Sequence, residues 1–533
     1  MDQAMAVQLL VVPVIAIAVA ALARRRGWPA PLLLVVAGLV LSPLMPAYEL
    51  DPEIVLLVLL PPLLYSAAID SSYMRLKTVL RPVMLLSVGL VLFSTLVIGW
   101  VTHLLLPDLH PAAAFALGAI VAPPDAVAAV AVARRLGLPR KVVTILVGES
   151  LFNDATALTA YRVAVAAAVG HGITGITGIP WIDAAGQFVY AAAGGVVIGV
   201  VLAWLLSRML GMVRDALVEN TILLLVPFGV YLAAEAVHAS GVVSVVIVGL
   251  VVGHRLPRSG FGTRLLSEAI WRVMDFFLES VVFALIGLQM WPIVTALDWS
   301  DPWKPLGMAL AVFAVAVLAR IVWVPPATYL PRLLSARVRR REPRPPSWQN
   351  VVIVSWAGMR GVVSLAAAFA LPPDLPGRET LVFLTFVVVI GTLLVQGLSF
   401  PWLIRRLRVS TEQEAFADNL AEAGAQQAAA SAALTRLDEL VADGVADVHQ
   451  EVVEQLRLRA ERRTLTAWER LGGGTGFEGE ETPSAVYRRL RREMLAAERE
   501  VLVRMRDERR IDDEVLRRVM NELDFEEATL ARD

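Results

Sequence analysis

The stretch GESLFNDATALTAY, residues 148–161, lies in a run that is otherwise apolar from Val142 to Val169. It carries Glu149, Asn153 and Asp154, and Arg162 follows directly. An ionisable side chain at the centre of a bilayer costs from about 2.5 to more than 10 kcal/mol. A run of membrane-spanning length that keeps such groups must either pair them or use them.

The rest of the chain fits a membrane setting. Of its 533 residues 57% are hydrophobic and 18% charged, against about 45–50% and 25% in soluble domains. About 13 segments approach the roughly 20 apolar residues needed to span the hydrocarbon. They lie near 4–23, 29–46, 53–70, 80–105, 111–133, 142–169, 184–207, 218–237, 240–254, 272–296, 305–330, 348–371 and 379–403. The first is read as a span, because Arg24, Arg25 and Arg26 follow the apolar run, whereas a signal peptide carries its basic residues before it. Basic residues cluster in alternate loops: Arg24–Arg26, then Arg75, Lys77 and Arg81, then Arg134, Arg135, Arg140 and Lys141, and on to Arg339–Arg341 and Arg344. The opposite loops hold little beyond Lys304 and Arg378. The basic side is expected to be cytoplasmic, with the N-terminus outside and the C-terminus inside.

Residues 1–403 are therefore read as a transmembrane domain and 404–533 as a cytosolic helical domain. The latter is rich in Ala, Glu and Arg, with Leu434, Leu437, Leu440 and Val441 at heptad-like spacing. A flexible break is expected at Gly472-Gly473-Gly474-Thr475-Gly476, and a closing helix near 512–530 with Val515, Val519 and Leu523 on one side. A net charge of -1 offers no field for nucleic acid, and the absence of cysteine excludes disulfides and thiol chemistry. The six histidines show no metal-ligand spacing, so no cofactor is expected.

Depth ranks the intramembrane charges. Asp154, Asp125 and Arg360 lie near the middle of their runs, the plane where transporters bind substrate. Asp70, Asp275 and Arg320 lie nearer run ends, where snorkelling relieves the cost. Glu149 and Asp154 are five residues apart, roughly 140° around a helix, so one can face a cavity while the other faces protein. A buried Glu149 needs a cation, and Arg360 is at compatible depth. Arg162 is the alternative, but thirteen residues along one helix separate it from Glu149 by about 20 Å.

Two of these runs contain helix breakers at depth. One is APPDAVAA (122–129), with Pro123 and Pro124 before Asp125; the other is AGMRGVVS (357–364), with Gly358 and Gly361 around Arg360. Unwound backbone in a membrane survives only where it is buried in protein or lines a cavity, and broken helices expose dipole ends that need charge of the right sign. The breaks fall in the fifth and twelfth runs. Runs 1–6 and 8–13 are then inverted repeats with two broken crossing helices, the architecture of a secondary transporter.

With these residues in view the chain resembles the monovalent cation/proton antiporter family of bacterial sodium–proton exchangers and their animal relatives. The resemblance rests on LLPPLLYSAA (59–68), AIVAPPDAVAA (119–129), GESLFND (148–154), YLAAEAVHASGVVSVVIVGLVVG (231–253) and SWAGMRGVVSLAAA (355–368), which occur in the family's order. It implies that Asp154 is the ion- and proton-carrying carboxylate, preceded by Asn153 as in the electroneutral branch. It further implies that Ser150 lies near the ion, that Asp125 sits at the crossed break, and that Glu149 and Arg360 form a buried ion pair. Homodimers and an elevator-like motion are implied as well. The chain departs from the family at Pro124-Asp125-Ala126, where Thr-Asp-Pro is frequent. It departs again at Tyr65-Ser66, where many relatives carry Phe-Glu; Ser66 removes an extra carboxylate there.

The chemistry needs one acid that holds either of two ligands, one at a time. Burial penalises the charged carboxylate, and a bare cation or a proton relieves it. If Asp154 crosses only when neutralised, one-for-one exchange of Na+ (or Li+) for H+ across the plasma membrane follows. A K+/H+ exchanger shares nearly every residue. An intramembrane aspartyl protease using Asp125 and Asp154 is a rival of another class, and it leaves Arg360 without a role; a passive cation channel is a third. Glu235 and Glu279 either pair structurally or relay protons, and Arg162 either lines an external funnel or pairs with Glu235.

Overall fold

The computed structural model describes residues 3–26, 30–44, 55–125, 129–130, 132–133, 136–169, 180–296, 300–341, 345–409, 412–442, 450–471 and 482–532. Arg134, Arg135 and Arg344, the 126–128 part of the first break and the glycine-rich stretch at 472–476 lie outside them. The chain forms two compact units, Met1–Val409 and Ser410–Asp533. Among the described residues the secondary structure is helical, with no strand.

The first unit contains α1 (Gln3–Arg26), α2 (Ala30–Leu41) and α3 (Leu60–Ile69). Next come α4 (Leu80–Leu105), α5 (Pro111–Val121) and α6 (Arg140–Ala168). Then follow α7 (Pro180–Leu210), α8 (Ala216–Glu235), α9 (Gly241–Arg255) and α10 (Phe261–Leu288). The unit closes with α11 (Trp303–Leu334), α12 (Trp348–Trp356), α13 (Val362–Phe369) and α14 (Arg378–Leu407). Each apolar run read from the sequence carries helix. By length and composition seven helices among the described residues can cross a membrane; Ala30–Leu41, Leu57–Ile69 and Pro111–Val121 are shorter apolar helices.

Lipid tails are as apolar as leucine, so helices in a membrane gain little from hydrophobic contact alone and rely on close backbone approach. This chain uses small residues for that purpose. Helix α2 packs on α10 where Gly38 faces Gly287; a Cβ on Gly38 would strike the Ala284 carbonyl, and one on Gly287 the Val35 carbonyl. Helix α5 packs on α4 through Gly118, which lies against the Thr95 carbonyl. One continuous apolar core draws on all of α1–α14.

The second unit contains α15 (Glu412–Ala442), α16 (Gln450–Leu471), α17 (Pro483–Asp507) and α18 (Asp513–Arg532). Helices α17 and α18 pair through Leu495 and Leu502 on one and Leu523 and Leu530 on the other. Arg491 and Arg499 reach Glu526 and Asp524 across the pair, and Arg491 holds the Glu526 carboxyl below its usual range. On α18 Leu516, Leu523 and Leu530 are buried, while Val515 is 45% exposed. A two-helix seam follows the sevenfold spacing 516–523–530, whereas 515–519–523 drifts around the helix.

Replacing Gly38 by valine forces α2 off α10. The expected loss is about 1–3 kcal/mol, seen as a lower melting temperature of the detergent-solubilised protein; Gly229→Ala, where nothing lies within 4 Å of the added Cβ, is the control.

Candidate functional site

Helix α5 ends at Val121 and the chain runs unwound through Pro123, Pro124 and Asp125. Helix α12 ends at Trp356 and the chain runs unwound from Ala357 to Gly361 before α13 begins. Neither proline has an N–H to continue a helix. The two unwound stretches meet, with the Asp125 N–H donating to the Met359 carbonyl at 2.7 Å.

Charge closes the exposed helix ends. Arg360 is 1% exposed. Its Nε donates to the carbonyl of Val121, the last residue of α5, at 3.1 Å. Its other nitrogens reach the Gly358 carbonyl and, at 2.9 Å, the Ala316 carbonyl of α11. A cation thus sits at the negative end of α5. The Asp125 carboxylate rests against Gly361, the residue capping the positive end of α13, and a Cβ there would occupy the carboxylate's place. That contact is why glycine is required at 361.

Helix α6 is fastened to this crossing by Asn153, which is fully buried and donates from Nδ2 to the Pro124 carbonyl at 2.6 Å. The next residue is Asp154, 7% exposed, whose charge interacts with that of Asp125. Ser150 lies one turn earlier and is half-buried. Asp154, Asn153, Asp125, Pro123, Pro124, Gly358, Arg360 and Gly361 are therefore gathered at one place.

Glu149 differs from the sequence expectation. Its partner is Arg320 of α11: the two side chains form a bidentate pair, Nη1 to Oε1 and Nη2 to Oε2, the latter at 2.8 Å, and both are buried. Arg360 spends its guanidinium on carbonyls instead. Arg320 does not snorkel: it lies near the middle of α11 and is 1% exposed. Its Nε also donates to the Val354 carbonyl of α12 at 3.0 Å. The signal for Arg320 was present as an arginine in an apolar run. The expectation that it lies near a run end is corrected, since the run at 305–330 and α11 both centre close to it.

The accessory residues lie on other helices. Ser66 of α3 is buried and donates to Asp275 of α10 at 2.5 Å. A carboxylate absent from α3 is thus supplied to the same place by α10, a pairing no local sequence pattern signals. Asp275 is half-buried and does not snorkel, whereas Asp70 is exposed as expected. Glu279, one turn beyond Asp275, is half-buried, and its charge interacts with those of Asp125, Asp275 and Arg24. Arg162 and Glu235 form a bidentate pair at 2.9 and 3.0 Å. They also line a cavity of about 420 Å³ beside Leu158 and Thr159. A second cavity, of about 330 Å³, opens at the other end of α6 beside Asp70, Thr144 and Gly148. The helical rise puts Asp154 about 9 Å past Gly148 and about 6 Å before Leu158. The buried acid lies between two cavities on one helix.

Crossed, unwound helices with compensated ends beside a buried acid define a membrane transporter of the antiporter class. Residues 11–406 match the model of the transmembrane sodium/hydrogen exchanger family. An uncharacterized Na(+)/H(+) exchanger of Mycobacterium tuberculosis is 33% identical over 523 residues, covering 95% of this chain and 92% of its own length. A sodium, potassium, lithium and rubidium/H(+) antiporter of Bacillus subtilis is 31% identical over 394 residues, covering 70% of this chain and 57% of the antiporter. The solved sodium proton antiporter MjNhaP1 of Methanocaldococcus jannaschii shares the fold, with a TM-score of 0.60 at 20% identity, over 76% of this chain and 99% of that one. The chain belongs to the sodium/hydrogen exchanger family, and is thus a multi-pass membrane antiporter.

Removing one member of a buried ion pair strands the other, at a cost of about 3–5 kcal/mol. Glu149→Gln and Arg320→Gln are each expected to cost that much thermal stability. The double variant recovers a large part of it, and the Glu149–Arg360 double-mutant cycle gives the smaller coupling.

Proposed function

We propose that the protein exchanges Na+ for H+ one-for-one at Asp154, and that it does so electroneutrally. The observation that carries this reading is the burial of the acid Asp154 directly after the asparagine that anchors α6 to the crossed breaks. A buried, uncompensated carboxylate is unfavourable, and either a bare cation or a proton relieves it. The two ligands compete for one negative charge, so each displaces the other and the loaded site is neutral in both forms. Hard oxygen donors suit an alkali cation: the Asp154 carboxylate, the Ser150 hydroxyl and backbone carbonyls of the breaks. Asp125 and Arg360 hold those breaks open, and the Glu149–Arg320 pair fixes α6 against α11 and α12.

The cavities at either end of α6 supply the two approaches that alternating access requires. Asp275 and Glu279 lead from the side of Asp70 toward Asp125 and are assigned to relaying ions or protons. Arg162 and Glu235 close the other approach, on the outer face. The orientation follows the basic loops, with the N-terminus outside, the C-terminus in the cytoplasm and the protein in the plasma membrane as a homodimer. Residues 404–533 are then a cytosolic domain. Li+ is accepted with Na+. K+/H+ exchange at the same residues is the second reading, favoured by the Bacillus subtilis relative, whose name includes potassium.

The test is a pH-sensitive dye in proteoliposomes, with Na+, Li+ and K+ added in turn. The wild-type protein is expected to respond to Na+ and Li+. Asp154→Asn is expected to lose the response by at least two orders of magnitude while keeping its melting temperature. Retained Na+-driven proton flux in that variant refutes the assignment, and a K+ response as strong as that to Na+ selects the second reading.

A further inference from the structure

At the basic side of the first unit a cavity of about 100 Å³ opens between α4, α6, α11 and α12. It meets the first turns of α4, α6 and α12, so it sits at the membrane boundary and not at mid-depth. Leu86, Val142, Val351 and Val354 form the apolar part of its wall, beside Thr78, Thr328 and Asn350. Arg81 and Lys141 stand in its lining, and no aspartate or glutamate does among the described residues. Three helix N-termini add partial positive charge at the same place. Outside it, Leu80 and Met84 of α4 are 46% and 43% exposed, an apolar surface directly beside the basic residues.

An apolar wall, paired cations and an adjoining apolar surface match an anionic head group that continues into acyl chains. A cavity of this size takes a phosphate and part of a glycerol, while the chains lie along α4. Basic pockets between helices at the cytoplasmic boundary hold acidic lipid head groups in this way. The floor also connects to the core of the protein. The Val354 carbonyl accepts from Arg320 Nε, and Arg320 holds Glu149. Ile145, which lines the cavity too, lies one turn before Glu149 on α6.

We propose that this cavity binds the head group of an acidic phospholipid of the inner leaflet, and that its occupancy supports the packing of α6, α11 and α12 around the Glu149–Arg320 pair and so promotes exchange. The effect on exchange rests on the transport reading above; the binding does not.

The test uses the full chain in detergent. Retention of phosphatidylglycerol and phosphatidylcholine is compared by native mass spectrometry, and the melting temperature is measured with each lipid. Phosphatidylglycerol is expected to be retained and to raise the melting temperature, and millimolar inorganic phosphate is expected not to displace it. Each basic residue contributes roughly fivefold to affinity, so R81Q/K141Q is expected to bind about 25-fold more weakly. Should that variant not fold, K141Q alone, at an exposed position, is expected to lose about fivefold. Equal retention of the two lipids, undiminished binding by the variants, or displacement by phosphate overturns the site. In proteoliposomes, phosphatidylglycerol is expected to raise cation-driven proton flux severalfold in the wild type and not in R81Q/K141Q. Selective binding with flux indifferent to the lipid overturns the effect on exchange and leaves the site standing. Absence of flux in every lipid, with binding intact, refutes the transport reading and with it the effect on exchange, again leaving the site.

Discussion

Two helices that stop halfway through a membrane must have their ends neutralised, and the structure is arranged around that requirement. Arg360 meets the carbonyl end of α5, and the Asp125 carboxylate meets the amide end of α13. The Asp125 N–H to Met359 contact ties the two unwound stretches together, and Asn153 ties α6 to them. Carbonyls of the unwound stretches are met by neighbouring groups: Val121 and Gly358 by Arg360, Pro124 by Asn153 and Met359 by the Asp125 N–H. Were the ends uncompensated, the broken backbone would cost several kcal/mol per polar group in a medium without water.

The Glu149–Arg320 pair works at a different level. It joins α6 to α11, and through the Val354 carbonyl to α12. A buried pair adds little net stability compared with apolar side chains, but losing one partner is costly. Such a pair therefore specifies one arrangement of three helices. That arrangement places Asp154 at the crossing, with a cavity toward each end of its helix. The close glycine contacts between α2 and α10, and between α4 and α5, achieve the same specificity with backbone shape alone.

Much of the site could be read from the sequence. Prolines and glycines beside charged residues at depth located both breaks. The polar residues of 148–161 located α6 and its acid, because charge in an apolar run has few explanations. Pairing was less legible. Compatible depth, together with the family resemblance, matched Glu149 with Arg360. Arg320 lies near the middle of its run at 305–330 and of α11 alike, and contact geometry, not depth, distinguishes it from Arg360. On α18 spacing alone suggests a stripe, while the facing helix selects Leu523 and Leu530.

By itself the sequence determined that this is an all-helical membrane chain, where its helices break, and which residue types lie at depth. These follow from hydropathy, from the backbone chemistry of proline and glycine, and from the cost of charge in hydrocarbon, all of which act locally along the chain. Only the tertiary structure decided that Arg320 takes Glu149, that Arg360 closes the end of α5, and that α10 delivers Asp275 to Ser66. Partner choice among several buried charges depends on which helix faces which and at what rotation. Those quantities are set by the packing of the whole bundle, and no single run of residues carries them.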